Sequence, residues 1–248
     1  LDFKDGDYIN TFIIYQSSED PDHLYNSYIE DCLLALELKG AVLMPKYQYF
    51  RAHDNKVFME MLRDLNPITN LMQPHSKHYG TYEEFKLKVD LKNLEPKVFK
   101  LYSGAQSKHV FLLKSESNYR KIPYKYSRSF NFYYWLVDKV KPFLKSKYPN
   151  YRKKSHNRKK FILQDFISEL DGDFKLLIYG NKYFVLSRKT PPNDFKASGS
   201  GLFEFTKMLP EGMLEYAKKC FESFDSPFMG LDIAEKNGNY YLIEFQFV

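Results

Sequence analysis

Cysteine is scarce in this 248-residue chain, which has only Cys32 and Cys220. The two are far apart and fit no CxxC or Cys/His spacing, which argues against a cysteine-based zinc or redox motif. Two reduced structural thiols are expected, as in a cytoplasmic protein. Long apolar runs are also missing: no stretch approaches the roughly 18 apolar residues of a membrane span. The chain opens Leu1-Asp2-Phe3-Lys4-Asp5, with no apolar signal region and no methionine, and is expected to be a fragment or a trimmed chain. No internal repeat or low-complexity tract occurs. The histidines, His23, His53, His75, His78, His109 and His156, fall in no HExxH or related zinc pattern, so each is assigned to structure or surface.

What is present is apolar and aromatic. Hydrophobic residues make up 44% and aromatics 18%, which argues against disorder. This length can bury one large core or two small ones. The net charge of +6 is unevenly placed. Between Asp138 and Lys160 there are ten Lys/Arg and one acid, a local +9 that leaves the rest of the chain at −3.

Periodicity predicts a mixed α/β chain. Thr11–Tyr15 reads as a strand, and Tyr25, Tyr28, Ile29, Cys32, Leu33 and Leu36 as the apolar face of a helix stopped by Gly40. Ala41–Pro45 follows as a strand, giving a small parallel β-α-β unit. Asp54 is the expected cap of a helix with Phe58, Met61, Leu62 and Leu65 inside. Thr81 and Glu84 form an expected capping box. Strands are predicted at Lys97–Leu101, His109–Leu113 and Phe161–Ile167. A hairpin is predicted to turn at Gly180-Asn181, and a helix to span Met213–Phe224.

The end of the chain carries the sharpest chemical pattern. Glu244 and Gln246 are two residues apart on a predicted strand, so their side chains share a face. A hairpin turned at Lys236–Asn239 would set Asp232 beside them. Three oxygen ligands on one face suit a hard divalent cation, and without one the carboxylates repel. The alternative is a solvent-facing hairpin. Lys100 interrupts an apolar strand (Val98, Phe99, Leu101) and must face something polar, while Lys56 sits near a helix start. Both could meet phosphate oxygens, or be solvated surface lysines.

With these elements laid out, residues 51 to 248 resemble the ATP-grasp superfamily. Asn55-Lys56 is similar to its helix-opening Asp-Lys, and Pro96–Lys100 to its P-x-V-x-K strand. Ser103–Val110 stands where the family has its Gly-rich phosphate loop, and Gln164-Asp165-Phe166-Ile167 resembles the hinge against which adenine lies. Asp173, Lys175 and Arg188 match the next acidic and basic positions. The segment Phe195–Gly201 resembles the small-residue substrate loop. Asp232, Glu244 and Gln246 resemble the metal-binding Asp and Glu-x-Asn. Two departures stand out: Gln246 replaces the usual Asn, and the phosphate loop holds only Gly104, with His109 near the usual second glycine.

The resemblance implies an ATP-grasp fold of two α+β subdomains holding ATP between them, preceded by a shortened βαβ segment. The implied boundaries are 1–50 for that segment, 51–160 for the first subdomain with a basic insert at about 118–160, and 161–248 for the second. It further implies an ATP- and Mg2+-dependent ligase, with Mn2+ as a substitute metal, that joins a carboxylate to an amine through an acylphosphate. Its implied nucleotide contacts are Lys56, Lys100, Ser103, Gly104, Gln164, Asp165, Phe166, Ile167 and Asp173. The implied metal ligands are Asp232, Glu244 and Gln246. Arg188 and Lys175 are expected to hold the transferred phosphoryl group, and Ser198, Gly199, Ser200 and Gly201 to place substrate. Arg188 could instead pair with Asp173 or Asp194.

The basic stretch 139–160 follows the aromatics Phe130, Phe132, Tyr133, Tyr134 and Trp135. It is read either as a solvated face or as a recruiter of an anionic, glycan- or phosphate-bearing acceptor. Two other readings stay open: a kinase acting on a hydroxyl, and a non-catalytic nucleic-acid or polyanion-binding module.

Overall fold

The computed structural model describes residues 3–4, 6–18, 24–104, 109–144, 154–192, 194–197, 203–206 and 208–247. The chain divides into two compact units, one formed by residues up to His75 and from Ile167 onward, the other by Ser76–Gly104 and Lys108–Phe166. These divisions differ from the expected boundaries at 50/51 and 160/161. Residues 51–75 pack in the first unit, and the strand beginning at Phe161 pairs within the second unit's sheet.

The first unit opens with β1 (Phe12–Ile14), α1 (Leu24–Leu38) and β2 (Val42–Met44), and β1 and β2 pair in parallel as expected. Gly40 follows α1 at φ +88°, where a side chain would be strained. Only part of the expected α1 face is inside. Leu33 and Leu36 are buried with Leu43 and Phe50, whereas Tyr25 and Tyr28 are exposed.

Two short helices follow, α2 (Tyr47–Ala52) and α3 (Lys56–Asp64). The cap of α3 is Asn55 rather than Asp54: Asn55 Oδ1 accepts from the Phe58 N–H at 3.2 Å. The buried residues of α3 are Val57, Met59, Glu60 and Arg63, and Leu65 just beyond it is exposed. Phe58 and Leu62 of the expected apolar face pack half-buried against the main core, and the inward face extends beyond them to take in an ion pair. Arg63 Nε lies 3.0 Å from Glu60 Oε2, and Arg63 Nη1 donates to the Met72 and Leu242 carbonyls at 2.6 Å each. Its charge is met by the Glu60 carboxylate and its Nη1 donors by two carbonyls, which is what lets this guanidinium be buried.

The second unit contains β3 (Ser76–Tyr79), α4 (Tyr82–Lys88), β4 (Lys97–Leu101), β5 (Val110–Leu113), α5 (Glu116–Tyr126), α6 (Phe132–Val140) and β6 (Phe161–Asp165). Its four strands form an antiparallel sheet in the order β3-β6-β4-β5. Phe99, Leu101, Phe161 and Leu163 pack with Phe85 and Tyr119 on one face. At α4 the Thr81 hydroxyl accepts from the Glu84 N–H at 3.1 Å. The Glu84 carboxylate reaches the Gly80 N–H at 2.8 Å, so the box closes one residue early.

The chain then returns to the first unit with β7 (Gly172–Tyr179), β8 (Lys182–Lys189), β9 (Phe203–Phe205), α7 (Met213–Glu222), β10 (Phe228–Lys236) and β11 (Asn239–Gln246). The strands form a five-stranded antiparallel sheet, β11-β10-β7-β8-β9. One face of it forms the main core: Leu176, Ile178, Met229, Leu231, Ile233, Leu242, Phe245 and Phe247 are buried, with Ala217, Cys220 and Phe221 of α7 in the same cluster. Burying each such large side chain contributes about 1.5–3 kcal/mol. No helix among the described residues is long and apolar enough to cross a membrane.

Candidate functional site

The polar face of the five-stranded sheet begins at the β10–β11 hairpin. Asn237 (φ 52°) and Gly238 (φ 77°) form its two-residue turn. Two successive positive φ values are those of a type I′ turn, which matches the twist of the flanking strands and favours Asn-Gly. From there the pairing runs regularly until a bulge. Leu242 opposes Ile233 and Glu244 opposes Asp232, so Ile243 is the extra residue. The bulge shifts the inward phase of β11 from Leu242 to Phe245 and Phe247. It thereby turns Glu244 to the polar face, directly across from Asp232. Gln246 follows two residues on, opposite Gly230.

A row of charge continues across the sheet. Asp232 opposes Glu244 on one side and Lys175 on the other, and Asp173 opposes Arg188. The Arg188 guanidinium makes a fork to Asp173 (Nε–Oδ1 2.6 Å, Nη2–Oδ2 2.8 Å) and also lies 2.7 Å from Asp232 Oδ2. Lys56, the first residue of α3, places Nζ 2.6 Å from Glu244 Oε1. These five side chains are only 9–21% exposed. Three carboxylates thus meet two cations in this cluster, and Lys175, in register with Asp232, adds a third positive group to the same face.

The electrostatics follow from that packing. Burial is the largest influence on Asp173, and with the nearby Asp232 charge it outweighs the Arg188 hydrogen bonds. The Asp173 pKa is raised to about 6. Burial opposes the charges of Arg188 and Lys56 as well, but there the carboxylates win. Asp232 and Asp173 raise Arg188, and Glu244 raises Lys56, so both hold their protons more firmly than usual.

Gly172 keeps Arg188 in place. A Cβ added at residue 172 would lie 2.1 Å from the Arg188 carbonyl oxygen, so only glycine lets β7 and β8 approach there. The sequence reading missed this position, although a glycine directly before an acidic strand residue is a visible signal.

In the second unit, Lys100 and Gln164 are buried on the sheet face opposite the aromatic core, near Ile162 and Val98. Asp165 differs from expectation. It opposes Lys97, whose Nζ lies 2.7 Å from Asp165 Oδ1, on the face that carries Phe99 and Leu163. Its carboxylate is therefore turned away from the Lys100 face. Phe166 and Ile167 follow the end of β6. Ser103 and Gly104 follow β4. Gly104 has φ +129°, and a Cβ there would lie 3.1 Å from His109 Nδ1, so glycine is required. Ser198, Gly199, Ser200 and Gly201 lie outside the described residues.

Ser17, His53 and Asp54 also meet in the first unit. Ser17 Oγ is 3.0 Å and Asp54 Oδ2 3.3 Å from the same atom, His53 Nε2. Because both use one ring nitrogen, the imidazole does not bridge them, and the trio is not a relay of the serine-hydrolase type.

No protein-family profile and no curated protein sequence matches the chain. Solved structures do. D-cycloserine synthetase DcsG superposes with a TM-score of 0.58 at 10% identity, over 100% of this chain and 77% of that one. The RimK domain protein ATP-grasp from Sphaerobacter thermophilus gives 0.53 at 12% identity, over 88% and 68%. The fold is ATP-grasp. D-alanine–D-alanine ligase from Bacillus anthracis, solved in complex with ATP, shares it at a TM-score of 0.53 and 14% identity, over 95% of this chain and 67% of that one. At such identities the ATP-grasp likeness is one of architecture, and the side chains must argue function for themselves.

The donor set of the ATP-grasp sheet face fits a hard divalent cation. Asp232 and Glu244 supply two facing carboxylates, and Gln246 adds an amide oxygen on the same face. No cluster of three or more His, Cys, Asp or Glu that could hold a metal is present among the described residues. A two-carboxylate pair suits magnesium, which commonly takes one or two carboxylates and completes its shell with water and phosphate oxygens.

Proposed function

We propose that this chain is an ATP- and Mg2+-dependent ligase that joins a carboxylate to an amine. The observation that carries the reading is the Asp232–Glu244 cross-strand pair, aligned by the β11 bulge and charge-matched by Arg188 and Lys56. A binding module has no need of two carboxylates held in register next to two half-buried cations. On this reading Asp232, Glu244 and Gln246 hold the metal, whose contribution is positive charge at phosphate oxygens. Lys56 and Arg188 are the cations of the same face available to anionic oxygens, and Lys175 adds a third. Asp173 orients the Arg188 guanidinium. The second unit, taken by itself, offers a nucleotide-binding face: Lys100 for phosphate, Ser103-Gly104 for a backbone cradle and the Gln164–Ile167 segment for an adenine.

The proposed reaction needs no nucleophilic side chain. A substrate carboxylate oxygen attacks the γ-phosphorus and ADP leaves. The amine then attacks the acyl carbon of the acylphosphate and phosphate leaves, so each turnover releases one ADP and one phosphate. The protein supplies positioning and charge.

The test is calorimetry of ATP with and without magnesium on the wild type, Asp232→Asn and Glu244→Gln. Expected is magnesium-dependent binding that either substitution weakens by tenfold or more. Unchanged magnesium-dependent binding in both variants would remove the pair from the site. Product analysis separates the ligase from a kinase: ADP release without matching phosphate release would move the reading to hydroxyl phosphorylation.

A further inference from the structure

Within the second unit, a cavity of about 690 Å³ opens beside α6, in the basic, aromatic stretch that the ligase reading leaves unused. That volume falls within the usual range for small-molecule sites, roughly 300–1,000 Å³. Its floor is built rather than incidental. The Asn157 side chain donates to the Tyr124 carbonyl at 2.6 Å and lies 3.3 Å from Ser127 Oγ. The Ser129 and Lys159 N–H groups bond to the His156 and Ser127 carbonyls at 2.7 and 2.9 Å. Residues 156–159 are thereby clamped to residues 127–129.

The charges around this cavity are of two kinds. Its two acids are already engaged. Glu83 Oε2 accepts from Ser155 Oγ at 2.7 Å, and Asp138, with a side chain only 4% exposed, has Oδ2 2.8 Å from His156 Nε2. Its three cations instead lie over aromatic faces. Arg128 sits 4.9 Å from the Phe130 ring centre, Lys139 5.8 Å from Trp135, and Lys154 5.6 Å from Tyr134. None of the three has a carboxylate within ion-pair distance among the described residues. Ring faces orient a cation without neutralising it.

We infer that this cavity is a binding site for a small organic anion with a flat apolar body, its phosphate or carboxylate held by Arg128, Lys139 and Lys154 and its apolar body set beside the exposed rings of Trp135 and Phe130. The inference does not depend on the ligase reading, since every residue in it belongs to the second unit. The same chemistry could come from a free metabolite or from one end of a larger acceptor. A plain polyanion is less well suited, because aromatic rings set among the cations discriminate by shape as well as by charge.

The chain provides its own probe. Trp135 is its one tryptophan, and at 39% exposure it is open to a ligand. Tryptophan fluorescence of the full chain is titrated with phenyl phosphate, inorganic phosphate, phenol and an oligothymidylate. Saturable change is expected with phenyl phosphate, at concentrations at least about tenfold below those needed for phosphate or phenol. Arg128→Ala and Lys139→Ala are each expected to weaken it by at least about tenfold, and added salt to weaken it further.

Equal responses to phenyl phosphate and phosphate would overturn the flat-body requirement and with it the inference. So would a response to the oligothymidylate alone, which would assign the surface to nucleic acid. If a variant does not fold, the ligand series on the wild type still decides. A shorter acid, benzoate, then tells whether carboxylate serves as well as phosphate. Failure of ATP binding in calorimetry with a positive Trp135 titration would sink only the ligase reading, and the reverse result only this one.

Discussion

Arg63→Met should destabilise the first unit far more than a surface change would. Glu60 and Arg63 are both fully buried, and the guanidinium serves Glu60 and the carbonyls of Met72 and Leu242 at once. Removing it leaves a carboxylate inside without a partner, a loss of about 3–5 kcal/mol, and two carbonyls without their donor. Methionine recovers packing against Phe245, whose ring centre lies 5.4 Å from the guanidinium carbon, so about 4 kcal/mol is the net expectation. For a protein of this size that lowers Tm by about 8–16 °C. The partner test is Glu60→Gln combined with Arg63→Met. Neutralising the stranded acid should recover about 2 kcal/mol.

The assay is urea unfolding followed in parallel by far-ultraviolet circular dichroism and by Trp135 fluorescence. Trp135 lies in the second unit, so its transition should move less than the dichroism. A loss below about 1 kcal/mol in Arg63→Met, or a double variant no more stable than the single, would refute the reasoning. The effect also bears on the site, because Leu242 precedes the bulge that turns Glu244 outward.

Four further outcomes follow from the same geometry. With its pKa raised from 3.8 to about 6, Asp173 binds its proton more tightly folded than unfolded, so its contribution favours the fold at low pH and is lost as pH rises from about 4 to about 6. Over that window the metal-free wild type should lose up to about 3 kcal/mol relative to Asp173→Asn in urea midpoints; parallel pH profiles would reject the assignment. Gly172→Ala should cost about 1–3 kcal/mol and weaken magnesium-dependent ATP binding by displacing Arg188, and a neutral result in both would show that β8 can yield. Gly238→Ala, at φ 77° in an open turn, should cost about 1 kcal/mol and nothing more. Cys220, buried and with its thiol pushed up to about 11 mainly by that burial, should resist alkylation in the native protein while Cys32 reacts; mass spectrometry of native and unfolded samples checks it.

Local patterns carried much of the architecture. The Asn237-Gly238 turn, the Thr81 cap, the strands at Lys97–Leu101 and Phe161–Asp165, and the β-α-β opening were legible because each is specified by neighbours in sequence. Where the reading failed, a distant partner had intervened. α3 turned its charged Glu60 and Arg63 inward because the Leu242 carbonyl, 179 residues away, takes a hydrogen bond there. Tyr25 and Tyr28 keep helical spacing with Leu33 and Leu36 yet stay exposed, since periodicity describes a stripe but not how far its covering extends.

The candidate site shows the same division. Residue type and the two-residue spacing placed Glu244 and Gln246 on one face from the sequence alone, with Asp232 within reach of a hairpin. That Asp232 faces Glu244 directly depends on the extra residue at Ile243, and no spacing rule announces a bulge. Nor does any local signal pair Lys56 with Glu244 or fork Arg188 between Asp173 and Asp232. The chain by itself therefore determined which chemical groups are available and which strand faces they share. Only the tertiary structure decided which charges neutralise one another, because that is set by distances of a few ångströms between residues far apart in sequence, where burial strengthens every interaction it leaves.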